Sequence, residues 1–184
     1  NLYIDGGHIE HTLNTANGRA AIYNVGNVYI SGGELISVAK ERAVVQNASG
    51  SASTTMSGGI VRQNADSTMG AVYNNGGSNS IIITGGTVIS QSTTSSAVQN
   101  KGGTLRIGTS NSAYDATDPV IQGEVYGIDS TVNYSIYDGI IKGKSNSRAV
   151  NEFSKINATE TGSEWITGTD GDYYTLYYTM TQTK

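Results

Sequence analysis

The sequence predicts an all-β fold: a single-stranded right-handed parallel β-helix, or solenoid, of about six coils with a C-terminal β cap. Three observations lead to this prediction. A glycine pair recurs at nearly fixed spacing, an apolar pair followed by asparagine recurs with it, and short alternating apolar stretches lie between them. A repeat of this length is typical of stacked units, because no single unit can bury its own apolar face.

The glycine pairs are the first landmark of each coil. Successive pairs are separated by 26, 26 and 27 residues. Glycine adopts positive φ angles without steric cost, so each pair predicts a bend. A degenerate later copy is Asp138-Gly139. The regular pairs are Gly6-Gly7, Gly32-Gly33, Gly58-Gly59 and Gly85-Gly86.

The second landmark is a short apolar stretch that ends in asparagine. It reads "AIYN", "VVQN", "AVYN" and "AVQN", with a last short copy "AVN". We expect these asparagines to occupy the same corner of successive coils and to form a hydrogen-bonded ladder, since asparagine satisfies backbone groups at bends. The alternative is a polar strip that binds a ligand. The residues are Asn24, Asn47, Asn74 and Asn100.

Between the landmarks, apolar and polar residues alternate. The second unit shows this in "VYIS", "ELISV" and "AVVQN". Alternation points one side chain inward and the next outward along a strand. Each coil is therefore predicted to have three strands and three bends. An irregular unit, "TLRIGTSNSAYDATDPVIQGEVYGIDS", interrupts the regular series.

The repeat stops near residue 153, so we divide the chain into β-helical coils over 1–153 and capping strands of the same domain over 154–184. "YYTLYYTM" is β-prone and "TDGD" before it indicates a turn. A cap would cover the open end of the solenoid. The alternative is an aromatic platform on which sugar rings stack, formed by Trp165, Tyr173, Tyr174, Tyr177 and Tyr178.

Composition argues against several classes of function. The net charge is −4 and basic residues do not cluster, which disfavours nucleic-acid binding. No apolar run approaches the ~20 residues of a membrane helix, so we expect no membrane span in this fragment. Cysteine is absent, which excludes disulfides, thiol catalysis and cysteine-ligated zinc. The first residue is Asn1, so we expect an excised or processed piece of a longer chain.

The ionisable residues do not form a recognisable catalytic or metal-binding set. Asp115 and Asp118 are the only close acid pair in a long loop, where turn capping competes with ligand binding. His8 and His11 are expected on opposite strand faces, which argues against a shared metal. We therefore expect no metal, no cofactor and no catalytic residue.

The run "VYGIDSTVNYSIYDGIIKGKSNSRAVN", followed by "EWITGTDGDYYTLYY", resembles the ends of β-helical repeat regions in large surface proteins of Firmicutes. The glycine-pair units before it are similar to the coils of the same family. The resemblance covers essentially the whole chain and implies a fold more specifically than a function. The chain departs from the family pattern in its irregular fifth unit and in having a single proline, Pro119.

This resemblance implies a non-enzymatic, adhesin-like or stalk protein, extracellular or on the cell surface, with glycans or matrix proteins as partners. An alternative is a polysaccharide lyase or glycoside hydrolase built on a similar β-helix, which would need acids clustered on one face. A third reading is a spacer that binds no ligand. The sequence leaves the oligomeric state open, with a monomer as the expectation.

Overall fold

The computed structural model describes residues 1–13, 19–48, 50–109, 119–157 and 163–180, and of residues 163–165 and 178–180 it describes the backbone alone. The chain is nearly all β and winds into a solenoid of about five turns. The predicted parallel β-helix is thereby confirmed. About six coils were predicted because the last coil was counted as complete, although its pairing strands are very short.

One large sheet contains the long strands of the coils. Its parallel strands pair from one coil to the next, and the fourth long strand, Ser80–Ser90, pairs with two shorter strands from which the pairing continues along two separate paths. Beyond the last of them, two further strands pair antiparallel. The parallel members are β1 (Leu2–His11), β3 (Asn27–Ser37), β5 (Ser53–Gln63), β7 (Ser80–Ser90), β9 (Thr104–Ile107), β10 (Val120–Gly123), β12 (Ser135–Ile136) and β13 (Ile140–Gly143). The antiparallel members are β14 (Ser163–Asp170) and β15 (Tyr173–Met180).

A second, smaller sheet holds the asparagine landmarks. Its strands are also parallel and follow one another coil by coil. They are β2 (Ile22–Asn24), β4 (Val45–Asn47), β6 (Val72–Asn74), β8 (Val98–Asn100) and β11 (Ile128–Ser130). Short 3₁₀ turns follow at Ser145–Ser147 and Phe153–Lys155. Parallel pairing reaches Ile156, which bridges to Tyr134, slightly beyond the boundary predicted at residue 153.

The glycine pairs bend strands rather than ending them. The stretches predicted as two separate strands in the second unit form one continuous strand, β3, which passes through Gly32 and Gly33. Gly33 has a φ of 80°, a value that favours glycine. A Cβ atom on Gly33 would also lie 2.7 Å from the carbonyl carbon of Gly6 in the preceding coil. Both the bend and the close stacking of coils therefore require glycine here.

The core consists of columns of inward-facing side chains, one from each coil. Burial of such side chains is worth about 1.5–3 kcal/mol each and supplies much of the stability of the solenoid. One column runs along the small sheet, from Ile22 to Val150. A second runs along the large sheet through Ile9, Leu35, Val61, Val88, Ile121, Ile141 and Leu176.

The two ends of the second column differ. Ile9, at its N-terminal end, is 38% exposed, whereas Leu176 of β15 is fully buried. The hairpin of β14 and β15 turns at Gly171, with a φ of 58°, and lays β15 antiparallel on β13. The hairpin thus covers the core at the C-terminal end of the solenoid. Nothing in the described residues covers the N-terminal end in the same way.

Candidate functional site

The asparagine landmarks are buried between the coils. Their Cα atoms are in register from one small strand to the next, and each side chain is at most 5% exposed. Asn24 donates from Nδ2 to Oδ1 of Asn47 at 2.8 Å, and Asn74 donates to Oδ1 of Asn100 at 2.9 Å.

Between these two pairs the ladder is interrupted. Asn47 donates instead to the carbonyl oxygen of Ser80 at 2.7 Å. Asn100 continues past its pair by donating to the hydroxyl of Ser130 at 3.2 Å. Because the amides are buried and turned toward neighbouring coils, they link coils and present no polar strip at the surface.

The predicted C-terminal aromatic residues do not share one face. In β15 the side chains alternate, so Tyr173 and Tyr177 lie on the face opposite to Tyr174 and the buried Leu176. Trp165 is the Cα partner of Tyr178 across the hairpin. The side chains of these last two residues lie outside those that the structure describes.

Tyr173 belongs to a polar cluster on the outer face. Its hydroxyl donates to Oε1 of Glu124, and Nζ of Lys144 lies 4.4 Å from the centre of its ring. Lys144 also forms an ion pair with Glu124 at 2.8 Å. These contacts place Lys144 over the ring of Tyr173 and tie the hairpin to the last coils.

The cluster shifts the pKa of each of its members. Partial burial raises the pKa of Glu124, but the hydrogen bonds from Lys144 and Tyr173 and the charge of Lys144 outweigh it, and the net pKa is lowered. The hydrogen bond to Glu124 raises the pKa of Lys144. Burial, followed by the hydrogen bond to Glu124, raises the pKa of Tyr173. The shifts of Glu124 and Lys144 both favour the charged forms that make the ion pair near neutral pH.

On the other face of β15, Tyr174 lines an open groove between the hairpin and the last coil. The groove has a volume of about 260 Å³. Phe153 contributes a second ring, 39% exposed, and Arg148 contributes an exposed guanidinium. No aspartate or glutamate occurs among the lining residues. The remaining lining residues are Ser147, Ala149, Thr167, Gly168, Thr169 and Thr175.

The rim of the groove contains strained backbone. Asn146 and Ser147 have φ angles of 51° and 58°, the two non-glycine residues with positive φ in the described chain. Such residues cost on the order of 1–3 kcal/mol and cluster at functional sites. The side chain of Asn146 donates to the hydroxyl of Tyr126 at 2.8 Å, which fixes this turn beside the groove.

The groove combines apolar ring surfaces with hydrogen-bonding groups. Aromatic rings present apolar faces that suit the C–H faces of sugars, a guanidinium offers five hydrogen-bond donors, and hydroxyls donate and accept. Sequence reasoning identified Tyr174 but missed Phe153 and Arg148. A signal for Phe153 was present, since it is the only phenylalanine of the chain and lies two residues after Asn151, the end of the last asparagine landmark.

The other predicted site residues lie elsewhere. Asp115 and Asp118 fall outside the described residues. His8 faces outward, with Nδ1 3.2 Å from Oε2 of Glu34. His11 instead has Nδ1 3.1 Å from the buried hydroxyl of Ser37. The described residues contain no group of three or more histidine and acidic side chains able to hold a metal ion.

Among the described residues, no helix has the length and apolar character needed to cross a bilayer. The chain matches no protein-family model, no curated protein and no solved structure.

Proposed function

We propose that this chain is a non-enzymatic, adhesin-like solenoid of a bacterial cell surface and that its C-terminal groove binds glycans. The proposal rests on one observation: Tyr174, Phe153 and Arg148 line the same open groove together with several hydroxyl-bearing side chains. This combination supplies stacking surfaces and hydrogen-bond donors together, as small-ligand sites require.

The scaffold supports a display function. Coils joined by parallel pairing and buried asparagines hold the groove on hydrogen-bonded strands rather than on a loop alone. Sites built on regular elements keep their geometry more accurately than sites on loops. The extracellular or cell-surface location and the Gram-positive origin rest on the resemblance of the repeats.

A binding role is favoured over glycan cleavage by the residues that line the groove. Glycoside hydrolysis commonly uses two carboxylates on either side of the scissile bond. Tyr174, Phe153, Arg148 and their neighbours supply none. Of the acids adjacent in sequence to lining residues, Glu152 accepts a hydrogen bond from the hydroxyl of Ser154, and Asp170 forms an ion pair with Lys142 at 2.6 Å.

An array of glycans and matrix proteins, probed with the purified chain with and without calcium, tests the proposal. We expect reproducible binding to one sugar class. Phe153→Ala and Arg148→Gln each alter an exposed residue, and we expect each to weaken binding about tenfold, the loss of about 1.4 kcal/mol. Tyr23→Ala is the matched control, because Tyr23 is 51% exposed at the other end of the solenoid.

Three results would contradict the proposal. Unchanged binding by both groove variants would place the site elsewhere. Steady loss of an arrayed polysaccharide would indicate an enzyme. The absence of any binding across a broad array would favour a passive spacer.

A further inference from the structure

We propose that Asn75 is a site of spontaneous covalent modification, at which the folded chain converts this asparagine into aspartate and isoaspartate through attack by the main-chain nitrogen of Gly76. The site lies at a corner between two described coils, because the strand before it, β6, pairs with β4 on one side and with β8 on the other. It is independent of the glycan-binding groove, which lies at the C-terminal end of the solenoid.

The side chain of Asn75 is exposed, unlike that of the asparagine before it. Asn74 is fully buried, and its Nδ2 donates to Oδ1 of Asn100 and to the carbonyl oxygen of Gly102. Asn75 lies outside the solenoid directly after β6, and its Nδ2 makes no hydrogen bond among the described residues. This nitrogen can therefore leave as ammonia without breaking a contact.

The residue after Asn75 supplies the attacking nitrogen. Gly76 has no side chain to hinder the approach of its nitrogen to the side-chain carbonyl carbon of Asn75, and its φ of 99° favours glycine. Gly76 is buried, yet its N–H makes no hydrogen bond in the part of the chain that the structure describes. A buried N–H without a partner is rare, and here it leaves the nucleophile unengaged beside its target.

Tyr73 polarises the carbonyl group that is attacked. Its hydroxyl donates to Oδ1 of Asn75 at 3.2 Å. Attack on Cγ of Asn75 places negative charge on Oδ1, and a donor already aimed at that oxygen stabilises the charge as it develops. Tyr73 is the outward-facing residue of β6, so the paired strand holds this donor in place.

The reaction consumes water and no other co-reactant. The nitrogen of Gly76 forms a bond to Cγ of Asn75 and loses its proton, while the bond from Cγ to Nδ2 breaks and Nδ2 leaves with that proton as ammonia. The product is a five-membered succinimide ring. Water then opens the ring at either carbonyl group. One opening gives aspartate, and the other gives isoaspartate, in which the main chain runs through the former side-chain carbonyl.

The two products differ in their effect on the coils. Both add a negative charge at residue 75, and Lys101, at the corresponding position of the next coil, now pairs with Asp129 at 2.8 Å and can face the new carboxylate. Isoaspartate also lengthens the main chain beside Gly76, whose Cα would lie 3.0 Å from a Cβ atom on Gly102. We therefore expect isoaspartate to lower the melting temperature and Asn75→Asp to leave it nearly unchanged.

Peptide mapping by mass spectrometry of the purified, folded chain during incubation gives a direct test. We expect Asn75 to convert at least about tenfold faster than Asn64, with isoaspartate among the products and a rate that rises with pH. Asn64 is the matched internal control, because it is also exposed and also donates its N–H to the preceding coil, but alanine follows it. Asn17→Gln serves as the background, since it removes the other Asn-Gly pair, which lies outside the described residues.

Variants at the same corner separate this mechanism from simple exposure. Tyr73→Phe removes the donor to Oδ1 and should slow the conversion of Asn75 about fivefold, whereas Tyr23→Phe, at the outward position of β2, should leave the rate unchanged. Equal rates at Asn75 and Asn64 would overturn the proposal. So would a product that contains aspartate but no isoaspartate, because direct hydrolysis of the amide does not pass through the ring.

Discussion

The two ends of the solenoid differ in how far they bury the same column of core side chains. At the C-terminal end, β15 pairs antiparallel with β13, and its residue Leu176 is completely buried. At the N-terminal end, Ile9 occupies the first position of that column and stays 38% exposed. The comparison shows that an antiparallel hairpin can cover the core at the end of a parallel solenoid.

The largest expected effect comes from shortening the core side chains at the two ends of this column. We expect Leu176→Ala to lower the free energy of unfolding by about 2–5 kcal/mol, because it leaves a cavity under the hairpin. Ile9→Ala should cost clearly less, since its side chain is already partly in water. Urea denaturation measures both. Equal losses would mean that the hairpin adds no burial at the C-terminal end.

The second test compares glycines of the first two bends. Gly7 and Gly33 have φ angles of 84° and 80°, so alanine strains the backbone at both positions by roughly 1–2 kcal/mol. Only at Gly33 would the new Cβ also collide with the preceding coil. We therefore expect Gly33→Ala to lower the melting temperature well below that of Gly7→Ala. The reverse order would argue against stacking of coils through these bends.

The third test concerns the polar cluster that ties the hairpin to the last coils. Folding lowers the pKa of Glu124, so its contribution to stability is present above the ordinary glutamate pKa of about 4.3 and is lost as the pH falls through the lowered value. Folding raises the pKa of Lys144, so its contribution is present below its ordinary pKa and is lost as the pH rises through the raised value.

Glu124→Gln makes this pH dependence measurable. We expect the variant to melt below the wild-type protein near neutral pH and the difference to shrink in strong acid, where Glu124 is protonated. Thermal melts monitored by circular dichroism at several pH values give the result. A difference that does not change with pH would show that the carboxylate charge has no role in holding the hairpin.

The smallest expected effect lies just inside the C-terminal end. Tyr134 is 1% exposed, and its hydroxyl has no hydrogen-bond partner among the described residues. Burial accordingly raises the pKa of Tyr134 far above its ordinary value. We expect Tyr134→Phe to leave stability unchanged or to raise it by up to about 1 kcal/mol, since a buried hydroxyl without a partner is unfavourable. A clear loss of stability in denaturant melts would reveal a partner for the hydroxyl.

The sequence carried enough information to predict the coils. The glycine pairs and the asparagines recur once per coil, and period-two alternation identifies inward residues such as Leu35 and Val61. It did not show that a strand continues through the glycine pair, because the same pair is equally typical of a strand end. The loop with Asp115 and Asp118 lies outside the described residues, so its role stays a prediction.

The candidate groove was only partly predictable. Tyr174 was identified because aromatic residues crowd the C-terminal segment. Phe153 and Arg148 come from the last coil and reach Tyr174 only because β15 folds back antiparallel on β13. No local sequence pattern specifies that this hairpin folds back onto the last coil. Tyr173 and Tyr174, which the sequence had grouped in one platform, lie on opposite faces because side chains alternate along β15.

The most direct test of the central claim maps the binding of a glycan identified on the array onto the chain by NMR. Backbone amide shifts would be followed as the glycan is titrated into the labelled protein. We predict changes concentrated at Arg148, Phe153, Thr167, Thr169 and Tyr174, with the strands at the N-terminal end unaffected. Changes concentrated around Tyr3 and Tyr29, or spread without focus, would contradict a glycan-binding groove at the hairpin-covered end.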